Sequence, residues 1–220
     1  MDFKEYKIKN KDIISIFKKK LDLIINPNKK EKPYLNKINI ILNKLTKENK
    51  DTIYNDFFFT FNKNNDIIII IDNIIKKGIM NEKYIDIYIE LLIKINDKIN
   101  IKDIIKNYII NYDMKLDNNN ILDYEGLCIY NKKKIRINNY MIIISKLIKF
   151  NLLDKDIFDK FIDEMILSIE EYYDILYNIA KDNINNINNN QKEKIINIKN
   201  NIKILKIKFK LLDLLYLFDL

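Results

Sequence analysis

Backbone breakers are nearly missing from this sequence, which has two glycines and two prolines in 220 residues. Sheets and hairpins need Gly, Asn-Gly or Pro at their turns. Loops that cradle phosphates need several glycines, so that the backbone can approach the ligand. Gly78 and Gly126 stand alone, and no such loop can be built from them. What remains is a chain of helices joined by Asn, Asp and Lys turns. Its length suffices for one domain with a sizeable core.

Composition narrows the chemistry further. With no His, the chain has no Ser-His-Asp or Cys-His triad, no imidazole acid–base group and no His-containing zinc site. The single cysteine, Cys128, allows neither an internal disulfide nor a thiolate cluster, and it reads as a small core residue. Ile, Asn and Lys dominate, a bias that AT-rich codons supply, and a protozoan or a large DNA virus fits it. The Asn runs at 117–120 and 183–190 read as loops. Lys and Arg number 39 against 31 Asp and Glu, a net charge of +8. That favours contact with nucleic acid or an acidic partner. Arg136 is the only arginine. Lysine attracts phosphate without reading bases, whereas arginine can read them bidentately. No segment approaches the ~20 apolar residues that span a bilayer. The start, Met1-Asp2-Phe3-Lys4, lacks the apolar region of a signal peptide. The expectation is a soluble protein of the cytoplasm (the host's, should the genome be viral), with no membrane partner and no cofactor.

Periodicity supplies the architecture. In residues 1–26, Ile13, Ile14, Phe17, Leu21 and Ile24 recur at helical spacing, and Pro27 ends the segment. Residues 1–32 read as a helical appendage and linker, and 33–220 as the main domain. Leu35, Ile38, Ile41, Leu42 and Leu45 make an apolar stripe. Thr46 is placed to cap the next helix, in which Ile53, Phe57, Phe58 and Phe61 face inward. Asn62–Asn65 reads as a turn. Further helices are expected at 66–79, 82–96 and 101–112, and Tyr84, Tyr88, Leu91, Leu92 and Ile95 mark the buried side of the second. Residues 113–133 look like a loop. Helices resume at 134–150, 155–166 and 168–181, break at 183–190, and close at 191–201 and 203–217. Short turns between neighbours force antiparallel pairs. About five such hairpins, none able to bury its apolar face alone, predict an all-α, HEAT-like α-solenoid. A compact bundle is the competing arrangement.

Four segments, in order, carry a resemblance. The first is Ile41-Leu42-Asn43-Lys44-Leu45-Thr46. The second runs Ile71-Asp72-Asn73-Ile74-Ile75-Lys76-Lys77-Gly78-Ile79, with Tyr84 and Tyr88 beyond it. The third is Ile143-Ile144-Ser145-Lys146-Leu147-Ile148-Lys149-Phe150, then Leu152-Leu153. The fourth joins Leu176–Lys181 to Lys206-Ile207-Lys208-Phe209-Lys210-Leu211-Leu212-Asp213-Leu214-Leu215. Together they resemble the middle domain, of HEAT-repeat type, of eukaryotic translation initiation factor 4 gamma, over about residues 34–218. Departures are Gly78 where alanine is usual, Asn139, Tyr140, Ser145 and Lys146 in the third segment, and a short 113–133 connection.

The resemblance implies a scaffold, not an enzyme, that binds and stimulates a DEAD-box RNA helicase of the initiation factor 4A type. Carried over residue by residue, its helicase contacts fall on Asn43, Lys44, Leu45 and Thr46, on Lys77, Met80 and Asn81, and on Lys208, Lys210 and Asp213. It also implies a cap-binding partner through residues 1–26. Tyr6 lies too far from Ile13-Ile14 to complete that motif, and an amphipathic helix packing on the domain is the alternative. From the residues themselves, Lys132, Lys133, Lys134 and Arg136, extended by Lys206, form the best basic cluster for RNA phosphate. No aromatic pattern for base stacking accompanies them. Two other readings stay open. Related middle domains act as scaffolds in RNA decay and splicing. Asp154, Asp156, Asp159, Asp163 and Glu164 invite a metal-dependent nuclease, although that chemistry needs carboxylates converging from other helices.

Overall fold

Isoleucine is a middling helix former, because its branched Cβ crowds the preceding turn. Helices in an isoleucine-rich chain must therefore be held by the faces they bury. A computed structural model describes residues 33–61, 66–116, 123–183 and 187–218. The appendage at 1–32 with its cap-binding contact, the Asn62–Asn65 turn, the 117–120 run and residues 184–186 lie outside them. Ten α-helices occur among the described residues, and no strand. They are α1 (Pro33–Asn43), α2 (Lys50–Thr60), α3 (Ile67–Met80), α4 (Ile85–Asn96), α5 (Lys102–Ile110), α6 (Tyr124–Lys149), α7 (Lys155–Leu167), α8 (Ile169–Asn183), α9 (Asn189–Asn201) and α10 (Leu205–Tyr216).

Sequence neighbours pack against each other in the pairs α1 with α2, α3 with α4, α7 with α8 and α9 with α10. Helices two apart are tied at a constant shift along the chain. Between α1 and α3, Asn73 reaches Asn39 and Lys77 reaches Asn43, each 34 residues away. Between α2 and α4, Lys50 pairs with Glu90 at 2.7 Å, 40 residues on. Lys94 and Lys98 repeat that shift by lying over the rings of Tyr54 and Phe58. Lys134 to Asp174 and Asn178 to Asn138, again 40 apart, join α6 to α8. A shift that stays constant means that the two helices run parallel.

The core lies between these pairs. Ile70, Ile71, Ile74, Ile75 and Ile79 of α3 are buried, as are Ile137, Met141, Ile144 and Leu147 of α6. Each such side chain stabilises the fold by roughly 1.5–3 kcal/mol of transfer free energy. Tyr140 is fully buried and joins three helices. Its hydroxyl donates to the Ile109 carbonyl at the end of α5, its ring stacks on Tyr112 at 4.1 Å, and the edge of Phe161 from α7 meets it at 5.9 Å.

The structure corrects four readings of the sequence. Helix α6 begins at Tyr124, inside the stretch expected to be a loop at 113–133. Asp123 caps it by accepting from the Gly126 amide at 2.7 Å. Its first turns leave Tyr124, Leu127 and Ile129 exposed, so no apolar stripe announces them. Cys128 falls in these turns and is half-buried, not core. Thr46 does not cap α2, which starts at Lys50 after Asn49. Within the Asn run expected to be a loop, Asn188 is the N-cap of α9 and forms a reciprocal capping box with Gln191.

Candidate interaction surfaces

The turn after α1 is tied down by one side chain. Asn49 accepts from the Thr46 amide and donates to the Lys44 carbonyl, both at 2.8 Å. Tyr88 of α4 donates to the Leu42 carbonyl at 3.2 Å. The parallel run of α1 and α3 brings their C-terminal ends side by side, and the Lys77 ammonium donates to the Asn43 side chain there. Burial against α1 holds the pKa of Lys77 below its ordinary value. The positive charge sits in the last turn of α3, where the helix dipole favours it. Asn43, Lys44, Met80 and Asn81 are exposed around it, so the structure brings both halves of the predicted near-end surface onto one rim. Leu45 is the exception: at 3% exposure it belongs to the core and cannot meet a partner. Thr46 is half-buried, and its hydroxyl is the main influence lowering the pKa of the exposed Glu48 carboxyl.

Beside this rim is a groove that the sequence reading missed. It has a volume of about 710 Å³ and lies between α3 and α5, with Arg136 of α6 at its side. Ile68, Ile69, Met80 and Ile104 line it together with Tyr108 and Tyr112. A signal was present. Ile67–Ile71 are five consecutive isoleucines, and a helix cannot turn five consecutive residues toward one core. Ile68 and Ile69 are left 61% and 45% exposed.

The predicted basic cluster lies on α6, and the helix divides it. Lys132 and Arg136, four apart, are exposed on one stripe. Lys133 turns to Asp113 at 3.1 Å. Lys134 turns to Asp174 of α8, which also takes Lys210 of α10 at 2.9 Å. Burial pushes the Asp174 carboxyl up, but the two ammonium groups outweigh it and hold the pKa below the usual carboxylate value. Lys210 also lies 4.7 Å over the Tyr173 ring, and burial raises that phenol to about 12. Lys206 and Asp213 are exposed on α10, and Lys208 is half-buried. One carboxylate therefore joins the predicted RNA cluster to the predicted far-end helicase contacts.

Three of the predicted acidic residues at and in α7 lie against neighbouring segments, while Asp156 and Glu164 are exposed. Asp163 pairs with Lys194 at 2.9 Å, the Asp159 carbonyl accepts from Gln191 at 3.2 Å, and Asp154 pairs with Lys106 at 3.2 Å. Among the described residues, no three His, Cys, Asp or Glu side chains are grouped so as to hold a metal ion. Nor is any described helix long and apolar enough to cross a membrane.

The class that these features define is an all-helical domain with a polar, lysine-bearing rim and a divided basic patch. Comparison with family models, curated proteins and solved structures returned no match.

Proposed function

We propose that this chain is a HEAT-like α-solenoid of the initiation factor 4 gamma middle-domain type. It would work in the cytoplasm as a scaffold that grips a DEAD-box helicase and holds it on messenger RNA. The observation that carries this reading is the rim where α1 and α3 end side by side, with Asn43, Lys44, Lys77, Met80 and Asn81 gathered on it. Parallel stacking of alternate helices is the geometry of a solenoid, and helix ends along one edge are its natural contact surface. Resemblance over four ordered segments names the partner class. The far end, at Lys208, Lys210 and Asp213, would meet the second helicase lobe. A scaffold that binds the closed helicase better than the open one accelerates ATP hydrolysis by shifting populations, with no chemistry of its own. The exposed Lys132, Arg136 and Lys206 supply phosphate contacts.

The test is RNA-dependent ATPase of an initiation factor 4A helicase with and without this chain. Stimulation that falls with Lys77→Glu and with Lys44→Glu supports the reading. Leu45→Asp is unsuited to this test, because it would unfold the core. Unchanged ATPase in the presence of the wild-type chain overturns the mechanism.

A further inference from the structure

The outer face of α10 carries an apolar seam that nothing among the described residues covers. Leu205, Phe209, Leu212 and Tyr216 are 67%, 63%, 43% and 82% exposed, while Leu211, Leu214 and Leu215 on the opposite face are buried. The exposed four recur at intervals of four, three and four residues, the spacing of a single coiled-coil seam. That spacing reads the same from either end. Lys206 and Asp213, both exposed, are seven residues apart and so lie on the same edge of the seam.

We propose that the occupant of this seam is a second copy of the chain, with the two α10 helices packed antiparallel about a two-fold axis. Because the spacing is palindromic, one register satisfies every position. Leu205 of each copy meets Tyr216 of the other, and Phe209 meets Leu212. The two-fold also brings like edges together, which sets Lys206 of each copy beside Asp213 of the other. Self-complementarity of this kind is what an isologous contact requires. A second copy thus matches both the apolar seam and its charged edge with residues this chain already carries. A helix of this length covers less than the roughly 800 Å² per partner of a standard interface, which places the dimer among weak, transient contacts. Pairing would cover the ground around Lys208 and Asp213. Self-association and any partner at the far end would therefore exclude each other. The dimer itself does not depend on the scaffold reading.

Sedimentation of the full chain from about 2 to 200 µM tests this. The wild type is expected to pass from monomer to dimer across that range. Phe209→Glu, at an exposed position and checked for unchanged helicity, should raise the dissociation constant at least about tenfold. Lys206→Asp and Asp213→Lys should each weaken the dimer about threefold, and the double exchange should restore it. A chain that stays monomeric at the highest concentration, or a dimer indifferent to Phe209→Glu, overturns the proposal. So does a double exchange that restores nothing.

Discussion

Asp174 illustrates how much depends on which charges a side chain answers. It accepts from Lys134 and Lys210, and so cancels part of the positive field that a nucleic acid would meet. Half-exposed ion pairs contribute only about 0–1 kcal/mol, because water screens them. Asp174→Asn should therefore cost little stability. It frees the ammonium groups of Lys134 and Lys210, and the exposed Lys206 lies one turn from Lys210 on α10. RNA affinity should rise, and its dependence on salt should steepen by about one to two released counterions. Fluorescence anisotropy at several salt concentrations reads both. An unchanged slope would mean that RNA does not reach this face. Gly78 is a different case at the same scale. A Cβ added there would meet Ile143 Cδ1 at 3.1 Å, the end of a buried side chain. Alanine gains about 1 kcal/mol over glycine inside a helix. The expected outcome for Gly78→Ala is a denaturation midpoint slightly above wild type, since a shift of a few tenths of an ångström at Ile143 is small against that gain.

Helix α6 is two elements in energetic terms. Its second half buries Ile137, Tyr140, Met141, Ile144 and Leu147. Its first turns, Tyr124 to about 133, are held by the Asp123 cap and little packing. Removing the cap with Asp123→Ala costs about 1 kcal/mol. The loss should fall on those turns alone, as faster amide exchange at 126–131 with unchanged protection at 140–147. This division also shows what the sequence makes legible. Where a helix buries a stripe, as α3, α4 and α7 do, apolar spacing located it within a few residues. Where a helix projects into solvent, it carries no stripe, and the first turns of α6 read as loop. Caps were legible only as residue types. Thr46 and Asn49 are both capping residue types, yet Asn49, the residue before α2, turns its side chain back onto Thr46 and Lys44 and caps nothing. The rim at Asn43 and Lys77 was foreshadowed by resemblance. The division of the basic cluster followed from the helical start that the sequence hid.

At the scale of the whole molecule, the ion pairs among the described residues join separate segments, apart from Lys76 with Asp72 inside α3, and the chain has no histidine to titrate near neutrality. Asp113 is held below its ordinary pKa chiefly by the hydrogen bond from Lys133, and Asp174 by Lys134 and Lys210 against its burial. A carboxylate whose folded pKa is depressed stabilises the fold above its unfolded pKa, and that contribution is lost as pH falls through the folded value. The window for this chain therefore lies at and below the ordinary carboxylate range. A second effect acts in the same direction. At pH 7 the net charge is +8, but protonating the acids leaves 39 Lys and Arg side chains unopposed. Repulsion among them disfavours the folded state. The urea midpoint should then stay level from about pH 8 to about pH 5 and drop steeply below about pH 4. Added salt should recover part of the loss, because it screens the repulsion without restoring the pairs. A midpoint that slid between pH 7 and 6 would contradict this account, since Asp113 and Asp174, held below the ordinary carboxylate value, stay charged across that interval.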